Sequence, residues 1–224
     1  MLIAFTGCDG CGKSTQVRRA EQWLISGGAT VHILNKWQIM NRTLFPECRF
    51  IGGSIDDFRE CIAEMEGPAR TLLALWPIMI TAQSVEKRQT QFDVFLADGY
   101  WMKVAAAELA YEGSPALIHA CIEQMRKPDL TLFLDASPEQ MLQRKIAGNL
   151  LTPYECGRDA DLSHEKFLAQ QGKIRAVLRR WADQYFWQVI NAEDSADQVS
   201  AMVRSILEEH LCRRGIMCRF PRER

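Results

Sequence analysis

The sequence predicts an α/β fold in which helices cover both faces of a five-stranded parallel sheet. Short apolar runs alternate along the chain with longer segments that have the spacing of amphipathic helices. This alternation is typical of parallel strands joined by helical crossovers. The chain has 224 residues, which suits one sizeable domain and is short for two. We therefore expect a single domain over residues 1–210.

The start of the chain supplies a strand, a loop and a helix. Residues 2–5 form an apolar run that fits a buried parallel strand, and residues 13–25 show helical spacing that ends at two glycines. Residues 31–34 are interpreted as a second buried strand. Residues 36–53 have no clear period, so we expect an irregular stretch over the edge of the sheet.

Two helices and a third strand are predicted next. Ser54 opens a capping-box pattern, which favours a helix over residues 54–66. Residues 69–91 form a long helix whose first half is apolar on most sides, with Pro77 expected to kink it. The apolar run at residues 92–97 is the third strand.

The second half of the chain continues the same alternation. The predicted elements, in order, are two helices within 101–127, a strand at 130–134, a helix at 138–147 capped by Ser137, a polar loop at 148–161, a helix at 163–185, a strand at 187–190 and a last helix. Five strands and their helices complete the expected sheet.

The overall charge indicates no nucleic-acid or membrane partner. The formal net charge is -1 at pH 7, which gives no whole-molecule attraction to either. The longest apolar run, residues 72–80, is far shorter than the ~20 residues that cross a bilayer. The 8 irregularly spaced cysteines and the lack of an apolar leader predict free thiols in the cytoplasm. Residues 211–224 form a basic tail, either solvated or in contact with an acidic partner.

A glycine-rich loop between the first strand and the first helix carries the clearest chemistry. Gly7 is followed by four residues and then by Gly12-Lys13-Ser14, which is the spacing of a phosphate-binding P-loop. Backbone N–H groups of such a loop converge on phosphate oxygens, and glycine permits the required conformation. The motif predicts a site for ATP and Mg²⁺ formed by Gly7, Asp9, Gly10, Cys11, Gly12, Lys13, Ser14 and Thr15.

The polar residues of this loop have expected roles. Lys13 reaches the β- and γ-phosphates, the Ser14 hydroxyl ligates Mg²⁺, and Thr15 adds a hydrogen bond to the α-phosphate. A second carboxylate ligand on the magnesium side belongs at the carboxyl end of a neighbouring strand. Asp98 ends the third strand and is the preferred candidate. Asp135 ends the fourth strand in the same way and competes with it.

Three segments give the chain a resemblance to thymidylate kinase. Residues 7–15 read Gly-Cys-Asp-Gly-Cys-Gly-Lys-Ser-Thr, with the family's aspartate-glycine pair in place. Residues 127–135 are similar to the family's fourth strand, and residues 137–144 are similar to the helix that leads into its lid. Tyr154 and the glutamate after it lie in the lid loop, as in some members. The similarity is weakest over residues 37–67.

The resemblance implies both architecture and activity. It implies a P-loop three-layer α/β/α fold with a mobile lid at residues 148–161, and a homodimer. It also implies a kinase that transfers the γ-phosphate of ATP to dTMP or a related nucleotide, with Asp9 approaching the sugar of the acceptor. The catalytic residues expected on this basis are Lys13, Asp98, Arg144 and Arg158.

Several departures from the family concern the phosphate of the acceptor. Thr81, Gly99 and Pro153 stand where the family carries arginine. Lys36 keeps a positive charge at a family contact position. Because an arginine–phosphate bond contributes about 1.5 to 3 kcal/mol, either other cations hold the phosphate or the acceptor carries none there. The expected acceptor contacts are Asp9, Lys36, Arg70, Tyr100 and Lys103.

Three functions remain open at this stage. The first is a nucleoside-monophosphate kinase that uses dTMP or a close relative. The second is a P-loop kinase whose acceptor is a nucleoside or another small metabolite. The third is a nucleotide-binding protein without turnover, which the presence of Lys13, Ser14 and Asp98 argues against because all three serve ATP–magnesium chemistry.

Overall fold

The sheet has five parallel strands and forms the centre of the molecule. The computed structural model describes residues 1–148, 151–158 and 161–213. The strands lie in the order β2-β3-β1-β4-β5. Their bounds are β1 (Leu2–Thr6), β2 (Val31–Leu34), β3 (Val94–Asp98), β4 (Leu130–Asp135) and β5 (Gln188–Asn191). The predicted α/β class and the five-stranded parallel sheet are confirmed.

Helices join the strands and flank the sheet. Helix α1 packs against α8, while α4 packs against α7 and α3. The described helices are α1 (Lys13–Ser26), α2 (Ile55–Glu64), α3 (Gly67–Arg88), α4 (Trp101–Ala110), α5 (Pro115–Glu123), α6 (Pro138–Ala147), α7 (His164–Gln184) and α8 (Ala196–Arg213). No helix among the described residues is long and apolar enough to cross a membrane.

Burial explains why the central strand reads as an uninterrupted apolar run. All five residues of β1 are buried, since helices cover both faces of a parallel sheet. In the register of the sheet, Phe5 lies opposite Asp98 of β3, and Thr6 lies opposite Phe133 of β4. The carboxyl ends of the three central strands therefore meet where the glycine loop begins.

Local capping sets the start of several helices. The Ser54 side chain accepts from the backbone of Asp57, and the Asp57 side chain accepts in return from the backbone of Ser54, which is the capping box expected at α2. Ser137 caps α6 by accepting from the Gln140 N–H. Helix α3 continues through Pro77 over its whole length.

The segment predicted to be irregular is more ordered than expected. Two 3₁₀-helices, Lys36–Met40 and Pro46–Cys48, lie within residues 36–53. Ile39, Phe45 and Cys48 form a second small core there, packed against α3 through Trp76 and Ile80. Periodicity did not reveal it because short 3₁₀ turns leave no amphipathic repeat.

The last helix runs past the predicted end of the domain. Helix α8 extends to Arg213, past the expected domain end at residue 210, and Arg213 pairs with Glu209 at 2.5 Å. The remainder of the basic tail, 214–224, lies outside the described residues. Within the predicted lid, residues 149–150 and 159–160 also lie outside them. The cytoplasmic location, the homodimer and the mobility of the lid stay predictions.

Candidate nucleotide site

The glycine loop has a backbone that side chains would obstruct. Gly7 has φ 147° and Gly10 has φ 89°, both in the region that favours glycine. A Cβ on Gly7 would lie 2.5 Å from the carbonyl oxygen of Leu134, and one on Gly10 would lie 2.9 Å from the carbonyl oxygen of Met141. Both glycines are therefore required by close backbone approach, which is how a loop brings its amides onto a phosphate.

Lys13 lies inside this loop. Its ammonium donates to the Cys8 carbonyl at 2.7 Å and contacts the Cys11 sulfur at 3.7 Å. Burial alone would lower the pKa of Lys13, but the nearby Cys11, Asp9 and Asp98 side chains outweigh it and hold the pKa above its usual value. Lys13 therefore stays charged where a phosphate would be bound.

The first turn of α1 opens toward solvent. Ser14 and Thr15 are exposed there, directly after Gly12, which has φ 100°. The unpaired backbone N–H groups of a helix start favour negative charge. The exposed hydroxyls thus lie where a bound phosphate and its metal ion can reach them.

The two candidate carboxylates have different surroundings. Asp135 is buried and held by Arg175, whose Nε and second guanidinium nitrogen donate at 2.6 and 3.1 Å, and by Arg179 at 3.0 Å. Asp98 ends β3 partly exposed, and no ion pair to it occurs within residues 1–148, 151–158 and 161–213. Since two arginines already neutralise Asp135, the carboxylate better placed to meet a metal ion is Asp98.

A small cavity adjoins the loop at Asp9. It has a volume of about 140 Å³ and is lined by Asp9, Lys36, Trp37, Arg59, Ile62, Ala74, Lys103 and Tyr154. Lys103 pairs with Asp9 at 2.8 Å. The structure thus brings the sequence-predicted residues Asp9, Lys36 and Lys103 together at this cavity, and their contacts with an acceptor stay predictions.

The charges of this cavity are strongly coupled. Burial would raise the pKa of Asp9, but Lys103, Lys13 and Lys145 together hold it below its usual value. Burial and the repulsion of Lys103 lower the pKa of Lys36 to about 7. The negative charge near Lys36 is therefore too small to keep the pKa of its ammonium at the usual value.

Arg59 is a cavity residue that sequence reasoning missed. It lies on α2, and its guanidinium carbon is 5.2 Å from the centre of the Trp37 ring, while the Lys36 ammonium is 4.5 Å from the centre of the same ring. Its ion pair with Asp56, at 2.8 Å, is largely exposed and leaves it accessible. The sequence does show an arginine on α2, the capped helix within residues 37–67, where the similarity is weakest. It could not show which side of α2 faces the cavity.

Two predicted acceptor contacts do not line this cavity. Arg70 is buried and paired with Glu108 at 3.1 Å, with Thr71 donating to the same carboxylate at 3.0 Å. Tyr100 is also buried, and its hydroxyl donates to the Arg126 carbonyl at 3.0 Å. Neither side chain lines the cavity, because both satisfy partners within the core.

The two predicted catalytic arginines lie apart. Arg144 donates to the Ala192 carbonyl at 2.8 Å and to the Cys11 carbonyl at 3.4 Å, so it borders the loop. It also lines a cavity of about 390 Å³ that includes Gly12 and Thr15. Arg158 instead pairs with Glu66 at 3.2 Å. The catalytic role expected of Arg158 stays a prediction, and in this structure its guanidinium is paired with Glu66.

The fold and the loop together define the class of protein. A glycine loop that joins β1 to α1, with its lysine at the carboxyl edge of a five-stranded parallel sheet, is the arrangement of a P-loop kinase. The fold is similar to that of a solved deoxyadenosine kinase from M. mycoides, with a TM-score of 0.59, 12% identity, and coverage of 93% of this chain and 100% of that one.

The sequence relatives are thymidylate kinases. The chain is 27% identical to that of Synechococcus sp. strain CC9605, over 94% of this chain and 98% of the relative. It is 26% identical to that of Caenorhabditis elegans, over 93% of this chain and 90% of the relative. No family model matches the chain. The sequence relatives confirm the expected enzyme class, a nucleotide kinase that resembles thymidylate kinase, and the solved structure shows the fold alone.

Proposed function

We propose that this enzyme transfers the γ-phosphate of ATP to dTMP or a closely related nucleoside monophosphate. One observation carries the choice of acceptor. The cavity beside the loop is lined by three basic side chains, Lys36, Arg59 and Lys103, against the single carboxylate of Asp9. The relatives named thymidylate kinase support the same acceptor.

The charge imbalance argues against an uncharged acceptor. Asp9 already pairs with Lys103, which leaves Lys36 and Arg59 without an equivalent anion in the cavity. Binding a neutral alcohol there would desolvate cations without pairing them, which is unfavourable. A phosphate supplies two or more oxygens that accept charge-assisted hydrogen bonds from such groups. Lys36 and Arg59 thus compensate for the family arginines that the chain lacks.

The reaction requires no proton transfer from the protein. An oxygen of the acceptor phosphate attacks the γ-phosphorus of ATP, and the bond from that phosphorus to the β–γ bridging oxygen breaks, so that ADP leaves with the electron pair. The loop amides and Lys13 hold the β- and γ-phosphates in line. Asp9 orients the acceptor through its sugar hydroxyl.

The residues present suit a magnesium ion of the kind that ATP brings. Mg²⁺ takes one or two protein oxygens together with phosphates and waters. Ser14 is exposed at the first turn of α1, and Asp98 ends the neighbouring strand, so these two would hold it. When bound, the ion neutralises charge on the β- and γ-phosphates. Lys13 and the helix start align the same oxygens.

An ADP-release assay tests the proposal. The enzyme is supplied with ATP and Mg²⁺ and then with dTMP, other nucleoside monophosphates, thymidine and small alcohols in turn. We expect ADP release with at least one monophosphate, abolished by a chelator of Mg²⁺, and none with thymidine. Turnover of thymidine without turnover of dTMP would favour the nucleoside kinase, and no release with any acceptor would favour a protein that only binds nucleotide.

A further inference from the structure

A groove between α1 and α8 lies apart from the two cavities at the glycine loop. It has a volume of about 620 Å³, and among the described residues it shares no lining residue with either of them. The helical spacing of its polar side chains places them on one face of each helix. They are Arg19, Gln22 and Ser26 of α1 and Asp197, Ser200 and Arg204 of α8. A volume of this size is typical of a site for a small molecule.

Arg204 brings an unpaired positive charge to this groove. Its Nε is buried and has no hydrogen-bond partner, and no ion pair to Arg204 occurs within the part of the chain that the structure describes. A buried donor without an acceptor is unfavourable, more so when the group is charged. A ligand that accepts from this guanidinium would remove that cost.

Arg19 brings a second guanidinium, which is engaged through one nitrogen. Its Nη1 pairs with Asp197 at 2.7 Å and donates to the Ser200 hydroxyl and to the Ala196 carbonyl, each at 2.9 Å. The Asp197 side chain is 91% exposed, and an exposed ion pair contributes little to stability. An anion of higher charge can therefore replace Asp197 at Arg19. Two guanidinium groups against one carboxylate also leave the groove with an excess positive charge.

Phosphate is the ligand chemistry that fits this arrangement. A guanidinium binds phosphate through two parallel N–H···O bonds. A phosphate group carries up to two charges and three free oxygens, so it can accept from both Arg19 and Arg204 at once. The exposed carboxamide of Gln22 supplies further donors at the same groove.

The groove is distinct from the cavity beside the first turn of α1. That cavity is lined by Gln16 and Ala196. The Gln16 side chain donates to the Ala196 carbonyl at 3.0 Å and accepts from the Ser200 hydroxyl at 2.7 Å. These hydrogen bonds join α1 to α8 between the two cavities. Ser200 is one helical turn beyond Ala196, so the groove begins where the other cavity ends.

We propose that the α1–α8 groove is a second phosphate-binding site, in which Arg19 and Arg204 together bind a phosphate group of a free polyphosphate or of a nucleotide. The ligand displaces Asp197 from Arg19 and supplies the acceptor that the Nε of Arg204 lacks. The site does not depend on the proposed phosphotransfer, because its residues are separate from those of the glycine loop.

Calorimetric titration with inorganic pyrophosphate tests the proposal. The wild type should bind two equivalents, one at the loop and one in the groove. Arg204→Met removes the guanidinium and keeps an apolar stem, so it should weaken the groove equivalent at least about tenfold and leave the loop equivalent unchanged. Lys13→Ala should weaken the loop equivalent alone. The matched control is Arg18→Met, which alters an exposed arginine of α1 outside the groove and should keep both equivalents.

A second variant guards against a folding defect. Arg19→Gln should weaken the same equivalent as Arg204→Met, and thermal unfolding shows whether either variant is destabilised. A single equivalent in the wild type, lost in Lys13→Ala and unchanged in both groove variants, would overturn the proposal.

Titration with ADP distinguishes the two sources of the phosphate. Two equivalents of ADP in the wild type and one in Arg204→Met would assign the groove to a nucleotide, and one in both would assign it to a free polyphosphate. None of these titrations requires turnover. An inactive wild type that still binds two equivalents of pyrophosphate would therefore overturn the proposed function alone.

Discussion

Arg70 and Glu108 form an ion pair in the core, with 3.1 Å between Nε and Oε2 and exposed fractions of 2% and 0%. The Glu108 carboxylate also accepts from the Tyr154 hydroxyl at 3.3 Å, so the pair joins α3 and α4 to the loop that follows α6. Arg70 is therefore engaged within the core, and under the proposed function the acceptor phosphate is bound by the basic side chains of the cavity.

Removal of one member of this pair should destabilise the fold. Arg70→Met leaves the Glu108 carboxylate buried and unpaired, which should lower the free energy of unfolding by about 3 to 5 kcal/mol. Urea unfolding measures it. The control is Arg70→Met combined with Glu108→Leu, which removes both charges and should recover most of the loss. A single variant as stable as the wild type would show that the pair is not buried in solution.

Lys13→Ala should abolish most turnover without unfolding the protein. The ammonium neutralises charge between the β- and γ-phosphates, so its loss should lower kcat by at least about a hundredfold. Thermal unfolding and the kcat of Lys87→Ala serve as controls. Normal turnover in Lys13→Ala would sink the kinase assignment.

Asp98→Asn and Asp135→Asn should have opposite profiles. Asp98→Asn should raise the Mg²⁺ concentration needed for half-maximal turnover and leave thermal unfolding almost unchanged, because the lost charge faces the ion. Asp135→Asn should lower the unfolding temperature, because Arg175 and Arg179 lose their shared partner. Magnesium titrations of both variants measure the first effect. The opposite pattern would assign the metal to Asp135.

Acceptor binding should weaken as the pH rises through about 7, the value to which burial and Lys103 lower the pKa of Lys36. The lysine is charged below that pH and neutral above it, while the acceptor phosphate, with its second pKa near 6, stays doubly charged from about pH 7 upward. The KM for dTMP should therefore rise between pH 7 and 9. In Lys36→Arg, whose side chain stays charged, it should remain flat. An equally steep rise in both would exclude Lys36 as the source.

Arg59→Ala should raise the KM for dTMP about tenfold or more and leave the KM for ATP unchanged, since one charge-assisted bond contributes roughly 1.5 to 3 kcal/mol. Arg49→Ala is the matched control. Arg49 also lies within residues 37–67, but its guanidinium donates a hydrogen bond to the Pro46 carbonyl. An equal effect of the two variants would remove Arg59 from the acceptor site.

The fold was predictable from sequence because its signals are local. The apolar run of β1, the glycines of the loop and the Ser54 cap each act within a few residues. The glycine at position 99 also has a local consequence: its φ of 70° would strain an arginine placed there. Restoring the family's arginine is therefore a poorer test of the acceptor than removing Lys36 or Arg59.

The site was only partly predictable because its partners come from distant elements. Nothing near Arg70 in sequence shows that Glu108, 38 residues later, will neutralise it. The choice between Asp98 and Asp135 likewise depended on Arg175, 40 residues beyond Asp135. Asp9 and Lys36 could be named as candidates because a motif and a resemblance fixed their positions.

The measurement closest to the central claim is the ratio of kcat/KM for dTMP to that for thymidine in the wild type. A cavity built to pair a phosphate should discriminate against an acceptor that lacks it by at least about 10⁴-fold, because the cations are then left unpaired. We predict a ratio of that size in favour of dTMP. A ratio near one, or one that favours thymidine, would contradict the account and assign the enzyme to acceptors without a phosphate.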